Sequence, residues 1–368
     1  MKTLLRRYFG TIDRYIIKKY LGTFAFTLAI FSMITVVFDI SERLDNFLKN
    51  NAPLHDIIFE YYAGFVPFYL NMLSPLINFL AVIFFTAKMA NQTEIVPILS
   101  GKASFNRFLW PYFVSSMVVF IVSFLANVYL IPYTNRLKNG FENLYFKDYD
   151  PTKSQVHIQL DKRTFVYMER YDEVTHTGYD FILEKFDGGT QMREKLTAQL
   201  IKYDSVKNTW SIQPPYEVRY VDGLKEKLFT SSNIKDTLLD MKPNDFVKRD
   251  NVYSAVSTTQ LRKDIIKEEL RGTGVLLDMK YEYYKRFVYP FSTFVLTLIG
   301  VSISSRKVRG GIGLPLGIGI FLCFAYIVVD KFAFVFSIKG GVPPALTVLM
   351  SNTLFGILGL YLLRKAPK

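Results

Sequence analysis

The chain has 368 residues, half of them apolar, with 33 Phe, 24 Tyr and a net charge of +13. It is too long for one small domain and too apolar for an ordinary soluble protein. The positive balance raises nucleic acid as a partner, and the placement of the charges along the chain excludes it.

Six stretches carry no Asp, Glu, Lys or Arg: residues 20–38, 61–87, 108–135, 287–305, 310–329 and 340–363, of 19, 27, 28, 19, 20 and 24 residues. A hydrocarbon core about 30 Å thick needs about 20 helical residues, so six transmembrane helices are expected. With the N-terminus inside, segments 1–19, 88–107, 306–309 and 364–368 hold 15 Lys and Arg, against three in the opposite loops 39–60 and 336–341. The positive-inside rule then places both termini in the cytoplasm. The basic excess is topological, and nucleic acid is not expected as a partner.

Residues 1–19 read as an interfacial lead-in to an uncleaved first helix, because no small-x-small cleavage site follows the apolar run. The loop beyond that helix carries Asp39, Glu42, Asp45, Asp56 and Glu60, read as a solvated acidic rim. Pro67 and Pro75 predict a kinked second helix whose freed carbonyls find partners in its neighbours. Between the second and third spans, "NQTEIVPILSGKAS" (91–104) predicts a short helix over about 91–101. Asn91 caps it and Glu94 completes a capping-box-like pair. Ile95, Ile98 and Leu99 share a face, and Gly101 stops the helix. Pro97 also permits a start nearer Val96, with Glu94 in the entering turn.

A polar insert follows the third span, with 26 basic and 24 acidic residues over 136–286. Residues 154–160, 163–169, 179–186, 196–204 and 216–222 approach two-residue alternation and are rich in β-branched and aromatic side chains. Turns are expected at "DGG" (187–189), "NTW" with "PP" (208–215) and "DG" (222–223). A β-sandwich or jelly roll fits that spacing. A helix then opens on Ser257 and Gln260 as a capping box and stops at Gly272. Around the fifth span, Gly310, Gly311, Gly313, Gly317 and Gly319 predict close helix contact. Asp330 and Lys331 form either an interfacial pair or the lining of a polar route. The layout is an α+β membrane protein of three spans, a β-rich domain and three more spans: residues 1–135, 136–282 and 283–368.

The sequence lacks G-x-x-x-x-G-K-[ST], a G-x-S-x-G nucleophile and any metal-ligand spacing for His55, His157 and His176. One cysteine, Cys323, excludes an intramolecular disulfide. No enzyme activity, cofactor or metal is expected. No ionisable residue sits mid-span, which argues against a proton-coupled carrier. Energy for any transport would come from a partner on the basic face. A scaffold or binding module that uses the outer β domain without transport is the alternative.

Four blocks carry a family resemblance: "IDRYIIKKYLGTF" (12–24), "NQTEIVPILSGKASFNRFLWPY" (91–112), "YYKRFVYPFSTFVLTLIGVSIS" (283–304) and "VPPALTVLMSNTLFGILGLYLLRK" (342–365). They resemble the lipopolysaccharide-export permeases LptF and LptG, the YjgP/YjgQ family. The Asp13-Arg14-Tyr15 opening and the compact insert look more like the LptG side. The resemblance implies a subunit of an ABC-type exporter in the bacterial inner membrane. Its partners would be an LptB-like ATPase dimer, a second permease of the family, LptC- and LptA-like periplasmic proteins, and lipopolysaccharide itself. It implies a periplasmic jelly-roll-like domain and a coupling helix at Glu94, Ile95, Ile98 and Leu99. It also makes Arg136, Lys138 and Lys331 candidates for lipid-headgroup contact. The acidic outer end of helix 1 (38–47) departs from the family's basic pattern, and no substrate contact is carried onto Asp39, Glu42 or Asp45.

Overall fold

A computed structural model describes residues 10–102, 104–146, 152–161, 163–187, 191–222, 225–243, 252–271, 275–307 and 311–366. The chain divides into two compact units. The helical unit comprises Met1–Phe146, Tyr253–Leu261 and Leu277–Lys368; the β unit comprises Lys147–Val252 and Arg262–Leu276.

Six helices are long and apolar enough to cross a membrane: Thr11–Lys49, Leu54–Asn91, Phe105–Tyr145, Leu276–Ser304, Gly313–Lys339 and Pro344–Arg364. They are spans 1 to 6 below. Each expected apolar run lies within one of them except for a few end residues, and most helices continue well past the run. Ending a helix in hydrocarbon would strand carbonyls and N–H groups, so the backbone stays hydrogen-bonded out into the polar zone. Spans 2 and 3 contain π-helical turns at Ile57–Tyr62 and Ala126–Leu130. Pro67 and Pro75 lie inside span 2 as expected, and Pro111 lies inside span 3.

The helical core is mixed in character. Phe79, Ile83, Leu296, Ile299, Cys323, Tyr326 and Phe355 pack spans 2, 4, 5 and 6 together. Polar pairs lie within the same bundle. The Tyr20 hydroxyl meets Asn78 Oδ1 at 2.6 Å and Thr297 Oγ1 at 2.9 Å, which ties spans 1, 2 and 4. In hydrocarbon such groups must find one another. Of the glycines expected at close contacts, only Gly319 meets that expectation: a Cβ there would collide with Ile83. Gly311, Gly313 and Gly317 face open space, and Gly310 lies outside the described residues. An unexpected tight approach occurs at Gly64 of span 2, against the Thr134 carbonyl and Lys138 of span 3.

The β unit contains the inserted antiparallel sheet. Its strands are β1 Thr152–Asp161, β2 Thr164–Asp172, β3 Thr177–Phe186, β4 Met192–Asp204, β5 Thr209–Asp222, β6 Lys225–Ser231 and β7 Lys235–Thr237. They form a meander in sequence order from β1 to β6, and β7 pairs with β5. One face buries Val166, Met168, Phe181, Leu183, Leu196, Ala198, Trp210 and Ile212, and the Trp210 indole donates to the Met241 carbonyl at 3.0 Å.

The turn expected at "PP" is corrected. Pro214 and Pro215 lie within β5, between its stretch paired with β7 (210–212) and its stretch paired with β6 (216–222). The β4 ladder also shifts there, between Ala198 and Leu200. Prolines have no N–H for a ladder, so they occupy the gap where the strand changes its outer neighbour. The shift is a bulge whose extra residue lies in β5, where the step from Gln213 to Tyr216 faces the shorter step from Leu200 to Ala198. Strands β6 and β7 were not expected from the sequence. The glycines of "DGG" and "DG", and Gly272, lie outside the described residues. The Ser257 cap is present, with the Gln260 amide 3.4 Å from its hydroxyl.

Candidate functional site

The segment between spans 2 and 3 folds as a helix over Ile95–Ser100, shorter than the expected 91–101. Span 2 continues through Asn91, so Asn91 ends a helix and does not cap one. Thr93 takes a left-handed conformation (φ 58°) that turns the chain, and Glu94 stands at the entry without capping through its side chain. This is the arrangement that Pro97 permitted. Lys102 (φ 64°) turns the chain again, and Ser104 caps span 3 by accepting from the Arg107 amide at 3.2 Å.

The segment's apolar face points inward. Ile95 is 2% exposed and packs with Ile16, Val82, Phe85, Met89, Phe105 and Phe108. Ile98 and Leu99 are half-buried against the same cluster. Ile95 therefore anchors the helix and offers no surface to a partner. Val96, Pro97 and Ser100 are exposed and form the outward face, with the half-buried Glu94 at its start.

Two polar contacts bracket this helix, and both come from the foot of span 1. The Tyr15 hydroxyl lies 2.9 and 3.2 Å from the two Glu94 carboxylate oxygens. Arg107 donates from both terminal nitrogens to Asp13, at 2.7 and 2.6 Å. Asp13 also accepts from the Gly10 amide at 2.8 Å. The forked guanidinium meets both oxygens of the carboxylate, the strong form of a charged hydrogen bond. Sequence reasoning did not connect these residues. The partners lie 79 and 94 residues apart, and no local pattern pairs them.

At the other end of span 1, the expected solvated rim is corrected for Asp39. It is 5% exposed and accepts from Tyr61 and Tyr62 at 2.9 and 3.1 Å, with Arg43 at 3.1 Å. Glu42 and Asp45 are exposed. Lys138 pairs with Glu142 at 3.5 Å and lies over the Phe68 ring, whereas Arg136 and Lys331 are exposed. Asp330 accepts from Ser351 at 3.3 Å.

A further buried cation was not anticipated. Arg286 is 2% exposed and donates to the Tyr253 carbonyl at 2.7 Å and Thr258 Oγ1 at 2.9 Å, with Glu282 at 3.4 Å. Thr258 in turn donates to the Val128 carbonyl at 2.9 Å, within the π turn of span 3. A π turn misaligns the helical ladder and leaves a carbonyl for an outside donor. Arg286 and Thr258 thus stitch the 253–258 segment onto spans 3 and 4.

Among the described residues no group of His, Cys, Asp and Glu is arranged to hold a metal ion. The chemistry available at these sites is charge pairing and docking. No curated protein matches the chain. The profile of the lipopolysaccharide export system permease LptF/LptG family matches residues 14–365, nearly the whole chain. The chain therefore belongs to the LptF/LptG family of lipopolysaccharide export permeases, as a multi-pass inner-membrane protein with six membrane-spanning helices and an inserted β-sheet.

Proposed function

We propose that this chain is a permease subunit, of the LptG kind, in an ABC-type exporter that extracts lipopolysaccharide from the inner membrane. A nucleotide-hydrolysing LptB-like dimer docks on the outward face of the Ile95–Ser100 helix, beside Glu94. The observation that carries this reading is the form of that segment: a short helix anchored inward by Ile95, with Val96, Pro97 and Ser100 presented outward. Ile98 and Leu99 line the edge of the docking face.

The distribution of Lys and Arg supports the reading that this segment and both termini are cytoplasmic and the β unit periplasmic. The apolar flank of span 1, with Phe26, Met33 and Val37 exposed, offers a surface for a second permease of the family. The β unit passes the lipid on to LptC- and LptA-like proteins. It has an open cavity of about 550 Å³ with an apolar side of Leu183, Leu196, Ile212 and Leu239 and a charged side that includes Lys185, Glu194 and Asp240, and the apolar side is the surface proposed for acyl chains. Arg136, Lys138 and Lys331 are the cations proposed to meet headgroup phosphates; the exposed Arg136 and Lys331 are freer to do so than the paired Lys138. The subunit needs no cofactor of its own.

Depletion tests the function. Lipopolysaccharide is expected to accumulate at the inner membrane when the protein is removed. A normal surface level after depletion would sink the assignment.

A further inference from the structure

We infer that Tyr15 and the Asp13–Arg107 pair are positioning residues that clamp the Ile95–Ser100 helix to the foot of span 1 at both flanks, so that movement of this helix is delivered to span 1. The inference rests on the reading of that helix as the docking point for a nucleotide-driven partner.

Six residues make a helix only about 9 Å long, too short to stand alone in water. Its covalent links to its neighbours are turns at Thr93 and Lys102, both in left-handed backbone that side chains disfavour. A turn passes force poorly, so the path to the spans runs through contacts. Three exist. Ile95 inserts into the cluster that includes Ile16 of span 1. Tyr15 grips Glu94 just before the helix. Asp13 grips Arg107 in the first turn of span 3, across the Lys102 turn, and so ties the far end of this connection to span 1. All three lead to a single stretch of span 1, residues 13–16. That span is also the least enclosed of the six: no residue in its most apolar window is buried. At its far end Asp39 ties it to span 2 through Tyr61 and Tyr62. It is a long helix gripped at its foot, tied to spans 2 and 4 at Tyr20, pinned again at Asp39 and uncovered over its most apolar stretch.

The geometry also assigns a role to each member. Tyr15 faces both oxygens of the carboxylate that the partner would meet, and so fixes its direction. Asp13 is 4% exposed and fully engaged by the guanidinium fork and the Gly10 amide, which leaves it no further role as a docking charge.

The test uses the full chain, alone and in vesicles with its ATPase and second permease. Tyr15→Phe keeps the ring and removes the hydroxyl. Arg107→Gln keeps the length and removes the fork. Without partners, amide exchange over residues 95–102 is expected to rise about tenfold in either variant, since the segment loses a tether that resisted local opening. In the assembled complex, ATP hydrolysed per lipid extracted is expected to rise about threefold, while retained ATPase stays within about twofold of wild type. Asp13→Arg combined with Arg107→Asp is expected to restore both readouts, which a mere folding defect would not allow. Unchanged exchange in both single variants would overturn the clamp. Raised exchange with an unchanged ATP-to-lipid ratio would overturn the transfer of force to span 1. Undiminished ATPase retention in Glu94→Lys would overturn the docking reading and the force-transfer half with it, while the exchange measurement alone still decides the clamp.

Discussion

Span 1 carries one buried aspartate at its foot and a second ten residues before its far end, and the two are satisfied in different ways. Asp13 is 4% exposed and is matched by a full opposite charge from span 3, the Arg107 guanidinium. Asp39 is 5% exposed and is matched by two tyrosine hydroxyls from span 2 and by Arg43 of its own helix. Around Asp39 a dense aromatic cluster of Phe47, Tyr61, Phe65, Phe141 and Phe146 excludes water. At Asp13 the Arg107 side chain is half exposed, at 49%. One aspartate is a closed structural pin. The other sits at an open, charge-paired joint beside the segment proposed to receive force. A joint that must respond to a partner is better built from exchangeable, solvated charges than from packed phenols.

Substitutions can break that contrast in graded steps. The largest loss is expected from Asp39→Ala. It strands two tyrosine hydroxyls and the half-buried Arg43, at about 3 kcal/mol, read as a fall in the thermal midpoint of the purified protein in detergent. Arg107→Ala is expected to cost less, about 1–2 kcal/mol, because water reaches the guanidinium side of the pair; the same thermal measurement ranks it below Asp39→Ala. A reversed order would erase the distinction between pin and joint. Tyr61→Phe removes one of the two phenol donors while keeping the ring stack on Phe65, and about 1 kcal/mol is expected by the same thermal readout. Smallest is Glu94→Gln, which keeps an acceptor for Tyr15 at a partly exposed site. Stability is expected within about 0.5 kcal/mol of wild type, with ATPase retention falling severalfold in pull-down.

The six spans and the β insert were legible because each rests on a repeating signal: long uncharged runs and two-residue alternation. Local exceptions were not. Pro214 and Pro215 look like a turn in sequence, and only the change of strand partner explains their place inside β5. Asp39 looks like rim charge because four other acids follow it within the same loop, and its tyrosine partners lie 22 and 23 residues away. The short helix between spans 2 and 3 was legible, but the face it presents outward was not. Ile95, Ile98 and Leu99 at helical spacing mark the face a helix buries, so the outward face is the complementary one, Val96, Pro97 and Ser100. The Tyr15–Glu94 and Asp13–Arg107 contacts bridge 79 and 94 residues, and no local pattern encodes such distances.

Co-purification of the ATPase with wild-type and Glu94→Lys protein, from membranes carrying equal amounts of each, tests most directly whether the Ile95–Ser100 helix is where the ATPase engages this permease. The ATPase is expected to accompany the wild type through stringent washing and to be lost from Glu94→Lys, with membrane insertion and amount of the variant unchanged. Equal recovery of the ATPase with both proteins would contradict it.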